Sequence, residues 1–246
     1  SVIPLASGKY PSTLLLHKGA RRMDEMRNVE RLTPSTKVRF KCIGCAECCR
    51  HVKETVPVDI QDVFRITKHL RDHGADIFCT DQFLERFAEP ALIDECGYFV
   101  YFLKSVGDDD ACIFLRNNLC SIHSAKPRAC RLYPFLVDPD ESGNHRYLFT
   151  KERVHHFRGP TVETRAWMKK YFPKEDRAFM QADYAEVRTI AKLLKEIPDA
   201  RKTEALLHFH RLQYSEYDLD KPFLEQFLRN QEKLIAILTR LAEENK

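Results

Sequence analysis

The sequence is short of glycine, and this excludes several common cofactor sites. Only eight of the 246 residues are glycine, and no two of them form a Gly-x-Gly arrangement. A dinucleotide-binding fingerprint and a phosphate-binding loop both need such glycines, because the backbone must approach the phosphates closely. No serine or cysteine nucleophile signature is present either. Any catalysis by this chain is therefore expected to depend on a different kind of centre.

Long apolar runs and dispersed cysteines are also lacking. The early apolar run Leu14-Leu15-Leu16 is far shorter than the roughly 20 residues of a membrane-spanning helix. The nine cysteines are odd in number and clustered, unlike a disulfide framework. The first residues do not combine a basic start, an apolar run and a cleavage site. We therefore expect no membrane association and a reducing, cytoplasmic setting.

Basic residues are concentrated at the start of the chain. Residues 1–41 carry nine Lys or Arg against three Asp or Glu, whereas residues 42–159 have a net charge of −3. No aromatic residues alternate with these basic residues in the way that would favour base stacking. We interpret residues 1–37 as a solvated basic N-terminal arm and do not expect a nucleic-acid partner.

The pattern of apolar residues predicts an α+β fold. We expect a small antiparallel sheet and short helices around a cysteine-ligated metal centre in residues 38–159, with a helical region, residues 160–246, packed on it. The expected helices are 59–73, 80–88, 161–172, 174–197, 199–214 and 220–244, and the expected strands are 98–104, 112–115, 119–123, 135–137 and 146–150. Asp59 is expected to cap the first helix, and Gly74 to end it.

The turn between the second and third of these strands decides where two cysteines lie. A two-residue turn would place Cys112 and Cys120 on opposite faces of the ribbon, whereas a three-residue turn, Arg116-Asn117-Asn118, would place them on one face. We predict the three-residue turn, because both thiols could then reach one metal site.

Four thiols lie within eight residues, in the run Cys42-Ile43-Gly44-Cys45-Ala46-Glu47-Cys48-Cys49. Thiolates are strong ligands for soft metals, and two-residue gaps let the backbone curl around one centre. A bacterial ferredoxin run would need its next cysteine at position 52, which is Val52. The remaining ligand must therefore be Cys49 or come from a distant part of the chain.

Three later segments complete a resemblance to a known family. These are Cys112-Ile113-Phe114-Leu115, Cys120-Ser121-Ile122-His123 and Lys126-Pro127-Arg128-Ala129-Cys130-Arg131-Leu132-Tyr133-Pro134. With the first cysteine run they resemble the YkgJ family of cysteine-cluster proteins, which are described as zinc- or iron-chelating. The resemblance covers residues 38–135. It implies a ligand set of seven cysteines: Cys42, Cys45, Cys48, Cys49, Cys112, Cys120 and Cys130. The flagellin lysine-N-methylases resemble this family more distantly, in their cysteine run.

The chain departs from this family at two places. Lys126 stands where an arginine is usual, and its ammonium group lacks the planar fork that a bidentate contact needs. Family members often carry a late Cys-Pro-Gly, and the comparable stretch here begins at His155-His156. We therefore consider His156 as a replacement ligand, the alternative being two partly exposed imidazoles.

Seven thiols exceed what one tetrahedral zinc ion or one four-iron cluster needs, so either some thiols are not ligands or two metal centres are present. We favour an iron–sulfur cluster, of the 4Fe-4S type, with zinc as the alternative. The expected function is redox chemistry or modification of a protein or peptide at the cysteine site. The alternatives are a zinc-stabilised binding scaffold and a lysine methylase-like enzyme, and whether the chain is an enzyme stays open.

Three further side chains are weaker candidates. Cys79 and Cys96 lie outside the matched motifs and are interpreted as buried apolar thiols. His123 follows the second motif and could donate a hydrogen bond to a cysteine sulfur.

Overall fold

The structure is a computed structural model that describes residues 29–93, 96–140, 144–150 and 154–243. Residues 1–28 of the predicted basic arm therefore lie outside the described residues. The strands are β1 Val29–Leu32, β2 Lys37–Arg39, β3 Pro57–Val58, β4 Ala88–Leu92, β5 Phe99–Leu103, β6 Ser105–Val106, β7 Ala111–Cys112, β8 Leu115–Arg116, β9 Leu119–Cys120, β10 Phe135–Pro139, β11 His145–Thr150 and β12 Thr161–Glu163. The helices are α1 Ile60–Asp72, α2 Thr80–Phe87, α3 Arg128–Leu132, α4 Thr164–Tyr171, α5 Lys174–Glu196, α6 Asp199–His210 and α7 Phe223–Glu243.

The strands form several small antiparallel sheets rather than one. Strand β11 pairs with both β1 and β10, and β5 pairs with both β3 and β4. Three two-stranded ribbons join β2 to β12, β6 to β7 and β8 to β9. With the helical C-terminal region, these sheets confirm the predicted α+β class.

Two apolar cores lie on either side of the short helix α3. The larger core contains α1, α2, β5 and the C-terminal helices, including the fully buried Phe209 and Leu234. The smaller core contains Phe135, Phe149 and Phe172. Helix α3 contributes Leu132 to the smaller core, while its Cys130 packs against the larger one. The position of Cys130 therefore depends on both cores.

Helix α1 begins and ends as its sequence predicts. The Asp59 carboxylate accepts a hydrogen bond from the backbone N–H of Asp62 at 2.9 Å, which satisfies one of the unpaired donors of the first turn. Gly74 follows the helix with a φ of +85°, a conformation that costs glycine little. Across the described residues, no helix has the length and apolar character needed to cross a bilayer.

The predicted helix 161–172 is wrong in its first three residues. Residues 161–163 form β12, in which Val162 pairs with Val38 of β2. Val162 is β-branched and the partner strand β2 is available, so strand pairing is favoured here over a first helical turn. Helix α4 then begins at Thr164. The predicted helix 199–214 similarly ends as α6 at His210 and continues as a π-helical turn, Arg211–Ser215.

The predicted three-residue turn before Cys120 is also wrong. Leu115 pairs with Cys120, so the turn consists of Asn117 and Asn118 alone, with φ values of 50° and 61°. Asparagine tolerates this left-handed conformation, which is the one that a tight two-residue hairpin needs. Cys112 pairs instead with Ser105 in a separate ribbon. The two cysteines therefore reach the site from different ribbons.

Candidate metal centre

The first cysteine run is an irregular loop that ends in a tight turn. Gly44 and Ala46 both have left-handed backbones, with φ values of 68° and 60°, and they flank Cys45. The residues Glu47–Cys49 then form a 3₁₀ turn, in which the Cys49 N–H donates to the Ala46 carbonyl at 2.9 Å. These two reversals separate Cys45 from Cys48 and Cys49, which allows their thiols to make different contacts.

Five thiols form one group, which we call the five-thiol group: Cys48, Cys49, Cys112, Cys120 and Cys130. The sulfur atoms of Cys48 and Cys49 are 3.9 Å apart. A hydrogen bond with Cys48, burial and the neighbouring thiolates of Cys130 and Cys112 raise the pKa of Cys49. Burial raises the pKa of Cys112, Cys120 and Cys130, and nearby thiolates, including that of Cys48, raise it further. The five thiols therefore interact electrostatically, although four separate segments of the chain supply them.

These raised pKa values favour the protonated thiols as long as no positive charge lies among them. Within the described residues, Lys126 is the one cation that lowers the pKa of both Cys120 and Cys130. A metal ion or cluster would supply the missing positive charge, and its binding would release the thiol protons. This is the electrostatic behaviour expected of a metal site.

Helix α3 is held in place by buried charge. Both carboxylate oxygens of Asp62, on α1, accept the Arg128 backbone N–H at 2.9 Å. Arg65 bridges the same carboxylate, at 2.7 Å, to the Lys126 carbonyl, at 2.8 Å. On the other side, Arg131 donates to Asp176 of α5 at 2.6 Å. These contacts fix the backbone on both sides of Cys130.

The acidic turn Asp108-Asp109-Asp110 holds the cysteine loop from the other direction. The backbone N–H groups of His51 and Val52 donate to the carbonyls of Asp109 and Asp110 at 2.8 and 3.0 Å. The Arg50 guanidinium pairs with the Asp109 carboxylate and also donates to Asn118 Oδ1 at 2.9 Å. Arg50 thus connects the loop to the turns before and after Cys112, a role that the composition of the turn alone does not reveal.

A second group consists of Cys45, His155 and His156, and we call it the His-Cys group. The Cys45 Sγ lies 3.0 Å from His156 Nε2 and 3.7 Å from His155 Nε2. Among the described residues, this is the one set of three or more His, Cys, Asp or Glu side chains whose ligand atoms all lie within 4.8 Å of one another. His156 is only 4% exposed. The histidine suggested by the sequence therefore does meet a cysteine, and its neighbour His155 meets it as well.

Two further side chains support the His-Cys group. The Tyr133 hydroxyl lies 2.9 Å from His156 Nδ1, so the Nε2 atom is the one that faces Cys45. A Glu47 carboxylate oxygen lies 3.4 Å from His155 Nε2. Sequence reasoning missed both residues as site candidates, although Glu47 lies inside the cysteine run and Tyr133 inside the third motif.

The backbone around Gly159 brings the two histidines to the cysteine loop. The Phe40 N–H donates to the Pro160 carbonyl at 3.1 Å, and the Lys41 N–H to the His156 carbonyl at 3.4 Å. A side chain at Gly159 would lie 2.7 Å from the Lys41 nitrogen. Glycine therefore permits the close crossing that places His155 and His156 beside Cys45.

The other sequence candidates lie outside these two groups in the described structure. Cys42 is exposed at the start of the loop and His123 is exposed after β9. Cys96 is buried in the larger core, as predicted, whereas Cys79 is only partly buried, at the N-terminus of α2.

A cavity of about 80 Å³ lies next to α3. Its lining includes Asp59, Arg128 and Asp183. Burial raises the pKa of Asp59 to about 7 and that of Asp183 to about 6, and the Arg128 guanidinium opposes both shifts. The cavity therefore places two carboxyl groups that titrate near neutral pH beside the helix that carries Cys130.

The two groups differ in the size of metal centre that they fit. Zinc–sulfur bonds of about 2.3 Å place the ligands of a tetrahedral ion about 3.5 to 3.8 Å apart. In the His-Cys group, the distance from Cys45 Sγ to His155 Nε2, 3.7 Å, lies in this range, and the distance to His156 Nε2, 3.0 Å, is shorter. In the five-thiol group, the described residues offer no third ligand atom within 4.8 Å of both Cys48 and Cys49. No three of its sulfur atoms therefore lie as close together as the ligand atoms of the His-Cys group.

Part of the chain matches a family of cysteine domains. Residues 41–156, just under half of the chain, match the model of the CxxCxxCC family, described as a "putative zinc- or iron-chelating domain". No curated protein and no solved structure matches the chain. Residues 41–156 are therefore similar to a cysteine domain that is described as zinc- or iron-chelating. The distant resemblance to flagellin lysine-N-methylases and the domain boundaries stay predictions.

Proposed function

We propose that the chain is a metal-cluster-binding protein whose five-thiol group holds an iron–sulfur cluster of the 4Fe-4S type. The observation that carries this proposal is that five thiols from four segments influence one another's pKa, although no three of their sulfur atoms lie within 4.8 Å of one another among the described residues. Four thiolates are needed for such a cluster, so one of the five thiols is a neighbour and not a ligand. When bound, the cluster supplies one-electron transfer at a potential that depends on burial and on hydrogen bonds to sulfur.

The chain's own residues divide the site into a buried and an exposed side. Cys112 is buried, and Lys126 favours the thiolate forms of Cys120 and Cys130. Cys48 is exposed, and Ile43 of the same loop is 58% exposed. A protein or peptide partner could approach the site at this exposed edge, either for electron transfer or for modification of the partner. A cytoplasmic location is part of the same proposal.

Metal analysis of protein purified without oxygen tests the proposal. We expect about four iron and four sulfide per chain, with a broad visible absorption. Replacing Cys130 by Ala should remove most of this iron and sulfide, whereas the matched change Cys79→Ala should leave both unchanged.

A different result would favour a zinc-stabilised scaffold. The 3.9 Å between the sulfur atoms of Cys48 and Cys49 is also compatible with two ligands of one zinc ion. Colourless protein that contains no sulfide, and whose zinc is lost in the Cys130→Ala variant, would contradict the iron–sulfur proposal.

A further inference from the structure

We infer that Cys45, His155 and His156 form a separate mononuclear zinc site, distinct from the five-thiol group. The inference goes beyond the proposed cluster and does not depend on it. Two imidazole nitrogens converge on one sulfur, at 3.0 and 3.7 Å. A tetrahedral zinc ion with bonds of about 2.3 Å to sulfur and about 2.0 Å to nitrogen would place these atoms about 3.5 Å apart. The observed distances lie on either side of that value.

The hydrogen bonds at the site also suit metal binding. A single thiol proton cannot be donated to both imidazoles at once, whereas one ion can bind all three atoms. Histidines that bind metals usually donate their second ring N–H to a nearby acceptor, which fixes the ring orientation. The Tyr133 hydroxyl lies 2.9 Å from His156 Nδ1 and is suited to this role. A mixed set of thiolate and imidazole ligands is one that zinc prefers.

We assign the fourth position to Glu47, whose carboxylate contacts His155 but must move closer to Cys45 and His156 to reach the ion, since it does not lie within 4.8 Å of all three ligand atoms. Its carboxylate lies 3.4 Å from His155 Nε2, and it belongs to the 3₁₀ turn that follows Cys45. With Glu47 bound, the site is closed, which is the arrangement of structural zinc sites. Such a site joins the cysteine loop to the segment after β11, two parts of the chain separated by 110 residues between Cys45 and His155. We therefore assign zinc a clamping role, in which its binding stabilises the folded loop.

Zinc content in single variants tests this assignment separately from the cluster. We expect wild-type protein to bind one zinc ion that is lost in both Cys45→Ser and His155→Ala, while iron and sulfide stay unchanged. The matched control is His123→Ala, an exposed histidine outside both groups, which should keep its zinc. His155 is partly exposed, so its replacement should not prevent folding.

Cobalt substitution and Tyr133→Phe give two further readouts. Cobalt in this site should show sulfur-to-metal absorption in wild-type protein and lose it in Cys45→Ser. Tyr133→Phe should weaken zinc binding about tenfold or more without removing iron, because it acts only through the orientation of His156. Equal zinc content in wild type and in both ligand variants would overturn the assignment. Loss of iron and sulfide in Cys45→Ser would also overturn it, by placing Cys45 in the cluster.

Discussion

Replacing Asp62 by Asn removes the charge that holds helix α3 to helix α1. Asp62 is buried, and its carboxylate accepts the Arg128 backbone N–H at 2.9 Å and the Arg65 side chain at 2.7 Å. Hydrogen bonds to charged groups contribute about 1.5–3 kcal/mol each, and breaking a buried ion pair costs about 3–5 kcal/mol. We expect the free energy of unfolding to fall by about 3–5 kcal/mol.

The matched control is Asp72→Asn on the same helix. Asp72 pairs with Lys68 at 3.3 Å, but both side chains are exposed, so its loss should leave the free energy of unfolding nearly unchanged. Equilibrium urea unfolding of the metal-free proteins measures both effects. Because α3 carries Cys130, Asp62→Asn should also weaken metal binding by the five-thiol group. A cost below about 1 kcal/mol would refute the view that buried charge positions this helix.

Three other predictions address the loop crossing, the cavity and the larger core. Gly159→Ala should lower the free energy of unfolding by about 1–3 kcal/mol, because the added methyl group would lie against the Lys41 backbone; stability equal to wild type in urea unfolding would contradict this. Burial raises the pKa of Asp183 to about 6, above its unfolded value of about 3.9, so its contribution to stability is present below about pH 4 and is lost as pH rises through about 6. As pH rises from 4 to 8, the free energy of unfolding of Asp183→Asn should thus increase relative to wild type by up to about 3 kcal/mol. If the two free energies instead change with pH in parallel, the pKa of the Asp183 carboxyl is not raised. Phe209→Ala should cost about 3–5 kcal/mol by thermal or urea unfolding, whereas Leu207→Ala, at a side chain 67% exposed, should cost less than about 0.5 kcal/mol, and similar losses in the two would contradict the assigned core.

Local patterns in the sequence predicted those elements whose signals lie within a few residues. The capped start of α1 at Asp59 and the glycine that follows its end are both confirmed. The strands β10 and β11 and the long helix α5 also occur where the pattern of apolar residues predicted them. In each case the interactions that define the element are local, so no knowledge of distant segments was needed.

Pairing with distant strands caused the errors. Residues 161–163 precede a helical segment, and their sequence suits a helix. They pair instead with β2, which lies more than 120 residues earlier in the chain. Cys112 likewise pairs upstream with Ser105, and two asparagines then suffice for the next turn. A strand needs a partner, and the sequence does not reveal which partner is available.

The sequence by itself predicted a cysteine-rich metal-chelating domain, because thiols at two-residue spacing are chemically distinctive wherever they fold. It also suggested His156 as a metal ligand, and it showed that the chain has more thiols than one metal centre needs. Only the tertiary structure decided how the candidates divide, placing Cys45 with two histidines and Cys48 with four other thiols. That division depends on left-handed residues at Gly44 and Ala46 and on the close crossing at Gly159. These features bring together side chains over 100 residues apart, and spacing along the chain carries no information about such contacts.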